Sequence, residues 1–247
     1  MAFIVILLAL SIQWFLKFNS ANYPLHWVDS YCRWMQTRIA SLATGHGWAA
    51  ILFLAAPIVL VASIIFTLVY HGLGHLGYLV LSLILLWYCL DVRTWRKSTE
   101  VPKLLLSAYQ RIFSLLFWYF IFGPVGLVLY VVINEFCIYF STLPSEEPIR
   151  KTILSDLMMT QGILDWIPVR LLGLTFALAG HFSSVFNRWV AELFQGISAD
   201  QHLVTAWGEA ALQPSDANHV EAMGLIDRSL IIWLVVMALV SLGFWIG

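Results

Sequence analysis

Asp165 and Arg170 stand five residues apart, with Pro168 between them, at the front of an otherwise apolar stretch, ILDWIPVRLLGLTFALAG (163–180). A carboxylate and a guanidinium in such a setting can pair, hold an ion or orient a polar ligand. Ionisable groups at membrane depth are costly and tend to serve function. The spacing also has a structural reading. Asp165 caps a helix that starts at Trp166, accepting a first-turn N–H and favouring the positive helix end. Pro168 then falls in the first turn, where a missing N–H costs little. Arg170 lies one turn in, and its long stem bends back to the interface. On the functional reading, Arg170 points into a polar pocket, with Asp165 and Glu135 as candidate partners. Glu135 follows Asn134 near the end of a second apolar run. A Glu and an Arg meeting at one boundary would offset each other's burial, tying helices together, binding a polar ligand, or both.

The elements that must position these residues are apolar throughout. The 247 residues are 61% hydrophobic and 11% charged, with twelve Trp, and the mean hydropathy is +0.84. Soluble domains hold about 45–50% apolar residues, and Trp favours membrane interfaces. Apolar runs cover 2–18, 48–70, 76–90, 112–140, 163–181 and 230–246, separated by polar stretches at 19–47, 91–111, 141–162 and 182–229. The expectation is one membrane domain over 1–247: an all-α, polytopic integral membrane protein with about four to five transmembrane helices plus re-entrant or interfacial helices. The first run lacks a basic leading region and a small-residue cleavage site, and reads as an uncleaved helix rather than a signal peptide.

Run 48–70 would measure about 34 Å as a helix, enough to span. The two glycines of HGLGH (71–75) make a tight turn that joins it to 76–90 as a helical hairpin. Run 112–140 would measure about 43 Å, longer than the hydrocarbon core of roughly 30 Å. It contains FGPVG (122–126), where Pro124 removes a backbone hydrogen bond and opposes helical geometry in the residue before it. The run is either a kinked, protruding helix or a hairpin that turns back. Lys17, Arg33 and Arg38 lie in or beside the first polar stretch, and Arg93, Arg96, Lys97, Lys103 and Arg111 in the second, whereas HGLGH holds no Lys or Arg. The positive-inside rule places both stretches in the cytoplasm and the turn outside.

A net charge of −1 offers no basic face for nucleic acid. Cys32, Cys89 and Cys137 are far apart and show no ligand spacing. His71 and His75 are four apart, but the intervening glycines favour a turn over a ligand pair. His181, His202 and His219 show no metal-binding pattern, so no metal site is expected. Nucleotide-binding loops and nucleophile elbows are also missing, leaving catalytic residues and cofactors unassigned. NRWVAELF (187–194) and HLVTAWGEAAL (202–212) have helical spacing, with Trp189, Leu193, Phe194, Leu203 and Trp207 facing the membrane or other helices. No internal repeat stands out.

Taken together, ILDWIPVRLLGLTFALAGH, LFWYFIFGPVGLVLY and RWVAELFQGISADQHLVTAWGEAAL, with the closing apolar helix, closely resemble the AmpE family over roughly residues 110–247. The resemblance implies a bacterial inner-membrane, multi-pass regulatory protein linked to β-lactamase induction and cell-wall recycling. It implies the lipid bilayer as solvent, and as candidate partners a small phosphate-containing or cell-wall-derived ligand and a membrane or cytoplasmic protein. A more distant likeness is to the adenosylcobinamide-phosphate synthases of the CobD/CbiB type, which form an amide bond. Pro168 and Arg170 match that family's Asn-Tyr-x-Pro-x-Arg pattern, where Asp165 and Trp166 replace the Asn and Tyr. Tyr130 and Asn134 match its Tyr-x-x-x-Asn pattern, with Val131 in place of a Lys. Ala206-Trp207-Gly208-Glu209-Ala210 resembles its Ala-Trp-Ser-Glu-Ala, with His202 upstream. These departures remove polar groups that an amide-forming ligation needs, and they favour a regulator over an enzyme. The site expected from residues and resemblance together is Asp165, Pro168, Arg170, Asn134, Glu135, Glu209 and His202.

Overall fold

A computed structural model describes residues 2–15, 28–35, 47–90, 96, 98, 100–144, 148–194, 196, 200–212 and 218–246, and these form helices and their connections without a strand. Lys17, Arg38, Arg93 and Lys97, counted for topology, lie outside the described residues. The helices are α1 (Ala2–Phe15), α2 (28–35), α3 (Gly47–Cys89), α4 (Val101–Ala108), α5 (Ser114–Thr142), α6 (Pro148–Ala179), α7 (Phe182–Glu192), α8 (Asp200–Ala211) and α9 (His219–Ile246). A π-helical turn, Tyr109–Phe113, joins α4 to α5. Trp48–Cys89, Val101–Thr142, Ile153–Ala179 and His219–Gly243 are long and apolar enough to cross a membrane. Large apolar side chains remain exposed along them, among them Leu60, Leu68, Ile231 and Leu239. In water such surfaces would aggregate; in lipid they are solvated. The protein is a multi-pass membrane protein.

Two of the four long segments are hairpins, each broken at one glycine. Within α3, Gly74 adopts φ 66° and ψ −160°; within α5, Gly123 adopts φ 65° and ψ −153°. This backbone region is essentially closed to residues with a Cβ. The chain reverses at both points. Phe66 and Tyr78, twelve positions apart, bring their ring centroids to 5.7 Å. A straight helix would separate them by about 18 Å along its axis.

Three residues after each bend comes a second glycine that lets the arms close. A Cβ on Gly77 would come within 3.2 Å of Val69, and one on Gly126 within 2.6 Å of the Trp118 carbonyl oxygen. LGHLG (73–77) and FGPVG (122–126) are thus equivalent corners, a likeness too short to register as a repeat in the sequence. The corners are neighbours, since a Cβ on Gly123 would lie 3.4 Å from Tyr78 Oη. Of the two forms open to the 112–140 run, the structure adopts the hairpin.

The apolar core has two parts. The larger gathers α1, the second arm of α3, both arms of the α4–α5 hairpin, and α6 to α9 around Tyr109, Phe113, Phe176, Trp207 and Trp233. The smaller joins α2 and the start of α3 to Phe136, Phe140, Ile153 and Leu157. Helix α6 belongs to both, so its middle is the seam where polar side chains collect.

Candidate functional site

At that seam α6 is an unbroken helix from Pro148 to Ala179. Asp165 therefore does not cap a helix starting at Trp166; it sits mid-helix. The apolar count stopped at 163 because IRKTILSDLMMTQG (149–162) is mixed in polarity, but Ile153 and Leu157 are fully buried and carry the helix through. Pro168 lies inside the helix and is buried. It removes the one N–H that would have bonded back to the Leu164 carbonyl, and packing on both sides holds the helix across the gap.

Asp165 is 2% exposed. Its Oδ1 accepts hydrogen bonds from Tyr109 Oη at 2.5 Å and Tyr130 Oη at 2.9 Å. The π turn contributes directly, because its extra residue resets the register of the arm that bears Tyr109. Ser114, fully buried, bonds through Oγ to the carbonyls of Tyr109 and Gln110 at 3.1 and 3.0 Å. That occupies backbone groups which the turn pulls out of the regular ladder. One turn before Asp165, Gln161 Nε2 donates to Asn134 Oδ1 at 3.1 Å.

These groups border a cleft of about 670 Å³, whose polar lining includes Gln110, Asn134, Ser141, Ser155, Gln161, Asp165 and Gln201. Carboxamides both donate and accept, hydroxyls do the same, and the carboxylate accepts. The arrangement can hold a polar ligand by several hydrogen bonds.

Arg170 is turned elsewhere. Five positions along a helix put it about 140° around from Asp165. It is 5% exposed, so it does not reach out to water. Its Nε donates to the Leu193 carbonyl at 3.2 Å and an Nη to the Trp166 carbonyl at 3.1 Å, and the guanidinium lies 4.7 Å from the Trp166 ring centre. The Arg170 carbonyl accepts from Trp189 Nε1 at 2.9 Å. Beside it, Trp207 Nε1 donates to Glu192 at 2.8 Å. Gly173 makes room for both indoles: a Cβ there would come within 2.3 Å of Trp207 and 2.7 Å of Trp189. Arg170 thus fastens α7 to α6.

The seven residues expected from the sequence separate. Asp165 and Asn134 share the cleft, and buried Pro168 lies one turn beyond Asp165. Arg170 belongs to the α6–α7–α8 corner. Glu135 is half-buried, and the charged groups acting on it are Asp29 and Arg111. Glu209 and His202 are exposed on α8. Sequence reasoning missed Tyr109, Gln161, Gln110 and Gln201; polar tips spaced along apolar helices were the available signal.

Residues 89–243 match the profile of the family described as regulatory signalling modulator protein AmpE. The chain belongs to the AmpE family. The family's match spans more than half of the chain and takes in every residue of the Asp165 cluster, the cleft and the Arg170 corner; α1, α2 and both arms of α3 up to Cys89 precede it. No curated protein and no solved structure matches the chain.

Proposed function

We propose that this AmpE family member is a regulatory protein of the bacterial inner membrane that acts by binding, not by catalysis, in the cleft around Asp165. Its ligand is a small phosphate-containing or cell-wall-derived molecule, and its output passes to a membrane or cytoplasmic partner within β-lactamase induction and cell-wall recycling. In this reading the hairpin corners face outward. Arg96, Lys103 and Arg111, near the opposite ends of the hairpins, face the cytoplasm, in line with the positive-inside rule.

The observation that carries the reading is Asp165 itself. A carboxylate buried within a spanning helix is costly; this one is held by two phenol hydroxyls at the wall of a polar cleft. The neighbouring carboxamides and hydroxyls bind well but are poor proton-transfer groups at neutral pH. The test is a β-lactamase induction reporter in cells carrying Asp165→Asn, Asn134→Leu or Gln161→Leu at wild-type protein level. The expected result is a lost or blunted response. Normal induction in all three would overturn the reading.

A second reading, an amide-forming membrane synthase, draws on the convergence of Tyr130, Asn134 and Asp165, which come from two separate stretches of the resemblance. A melting-temperature rise with a corrinoid or nucleotide, lost in Asn134→Leu, would favour it.

A further inference from the structure

Resting on the binding reading above, we infer that the cleft takes the head of an amphiphile, rich in amide and hydroxyl groups and free of phosphate, entering sideways from the bilayer between α5 and α6.

The head chemistry follows from the lining. Gln110, Asn134, Gln161 and Gln201 present four carboxamides, each able to donate and accept, the natural complement of another amide or of a hydroxyl. Among the described lining residues, Asp165 is the only Asp, Glu, Lys, Arg or His. Arg170, the cation closest to it in sequence, is bonded to the Leu193 and Trp166 carbonyls. A phosphate in this cleft would face an acidic side chain and meet no cation among the described lining residues, so burying its charge there is costly. Of the two ligand chemistries proposed, the amide-bearing one fits.

The entrance follows from exposure. Ile138, Met158 and Met159 also line the cleft, and they are 51%, 56% and 58% exposed. All three lie within the spans Val101–Thr142 and Ile153–Ala179. Side chains exposed at that depth meet lipid. Methionine is unbranched and adapts to irregular apolar partners, so two adjacent methionines suit a hydrocarbon chain. The cleft thus joins a polar interior to an apolar side opening, the shape of a molecule with a wet head and a greasy tail.

The test uses the full chain in phosphatidylcholine nanodiscs and three probes: a tritiated decyl N-acetylglucosaminide, free N-acetylglucosamine and decyl phosphate. The expected result is saturable binding of the alkylated sugar, with each other probe at least ten-fold weaker. Asn134→Leu and Gln161→Leu should each weaken binding ten-fold or more at an unchanged melting temperature. If these variants melt early, Met158→Ser at the exposed mouth replaces them and should weaken the alkylated sugar while leaving free N-acetylglucosamine unchanged. Decyl phosphate binding as tightly, and losing affinity in Asn134→Leu, would overturn the amide class while leaving the cleft as a binding site. Free sugar binding as tightly as the alkylated form would overturn entry from the bilayer. Absence of saturable binding by all three overturns this inference, whereas the induction reporter alone decides the binding reading.

Discussion

Tyr109 and Tyr130 place their hydroxyls on the same carboxylate oxygen of Asp165, at 2.5 and 2.9 Å. They are 21 positions apart, about 31 Å along a straight helix. Their meeting requires the chain to double back between them, and it does so at Gly123. One carboxylate thereby joins both arms of the α4–α5 hairpin to α6.

This convergence fixes a topology. Single cysteines at Leu73 and Phe122 should label from one side of the membrane, and those at Glu100 and Thr142 from the other. Impermeant maleimide on sealed vesicles reads this directly. Thr142→Cys labelling together with Phe122→Cys would mean that the α4–α5 segment does not return.

Removing either hydroxyl leaves the other on Asp165. Tyr109→Phe and Tyr130→Phe should each lower stability by about 1–3 kcal/mol, the span from an ordinary hydrogen bond to one with a charged group. The double variant should lose more than the two singles together, because the carboxylate then keeps neither phenol donor. Unfolding in mixed micelles measures all three.

The glycine corners fail through the backbone alone. Nothing lies within 4 Å of a Cβ built on Gly74, so any cost of Gly74→Ala is conformational, about 1–3 kcal/mol. Asn, which often replaces Gly in left-handed turns, should not rescue it, since ψ at −160° is far from the left-handed helical value. Equal stability of Gly74→Asn and wild type in a thermal melt would contradict this.

Arg170→Lys should cost about 1–3 kcal/mol despite keeping its charge. A lysine cannot reach two carbonyls from a planar fork and lie over Trp166 as well. A melting temperature equal to wild type would show that charge alone suffices.

Cys32 lies in α2, outside the long spans, and is fully buried. Burial, aided by the nearby Asp29 charge, pushes its thiol up to about 12. Thiolate is the reactive form, so alkylation at pH 8 should be negligible in the folded protein and rapid after denaturation. The raised value also makes the contribution of Cys32 to stability complete below the ordinary thiol range, and lost as pH rises through about 12. Prompt labelling of Cys32 under native conditions would contradict both statements.

Much of the architecture was legible because lipid imposes long apolar helices, and each tight corner needed glycine. HGLGH and FGPVG carry that need openly. The start of α6 was not legible, since residues 153–162 face core on one side and the cleft on the other, and a plain apolar count averages the two. Tyr109 hid because a tyrosine in a greasy run reads as one more aromatic, and Tyr130 stood out by resemblance alone; only the fold reveals that both hydroxyls touch Asp165. Arg170 misled for a related reason. Its acceptors are main-chain carbonyls at Trp166 and Leu193, and no residue type announces a carbonyl.

The paired glycine corners also bear on how the chain enters its membrane. From Gly47 to Cys89 and from Val101 to Thr142, each hairpin turns without a hydrophilic connector. Insertion of either has no soluble loop to drag across, only a blunt end carrying His71 and His75 in one case and Pro124 in the other. A protease confined to that far face should find these two hairpins closed to it.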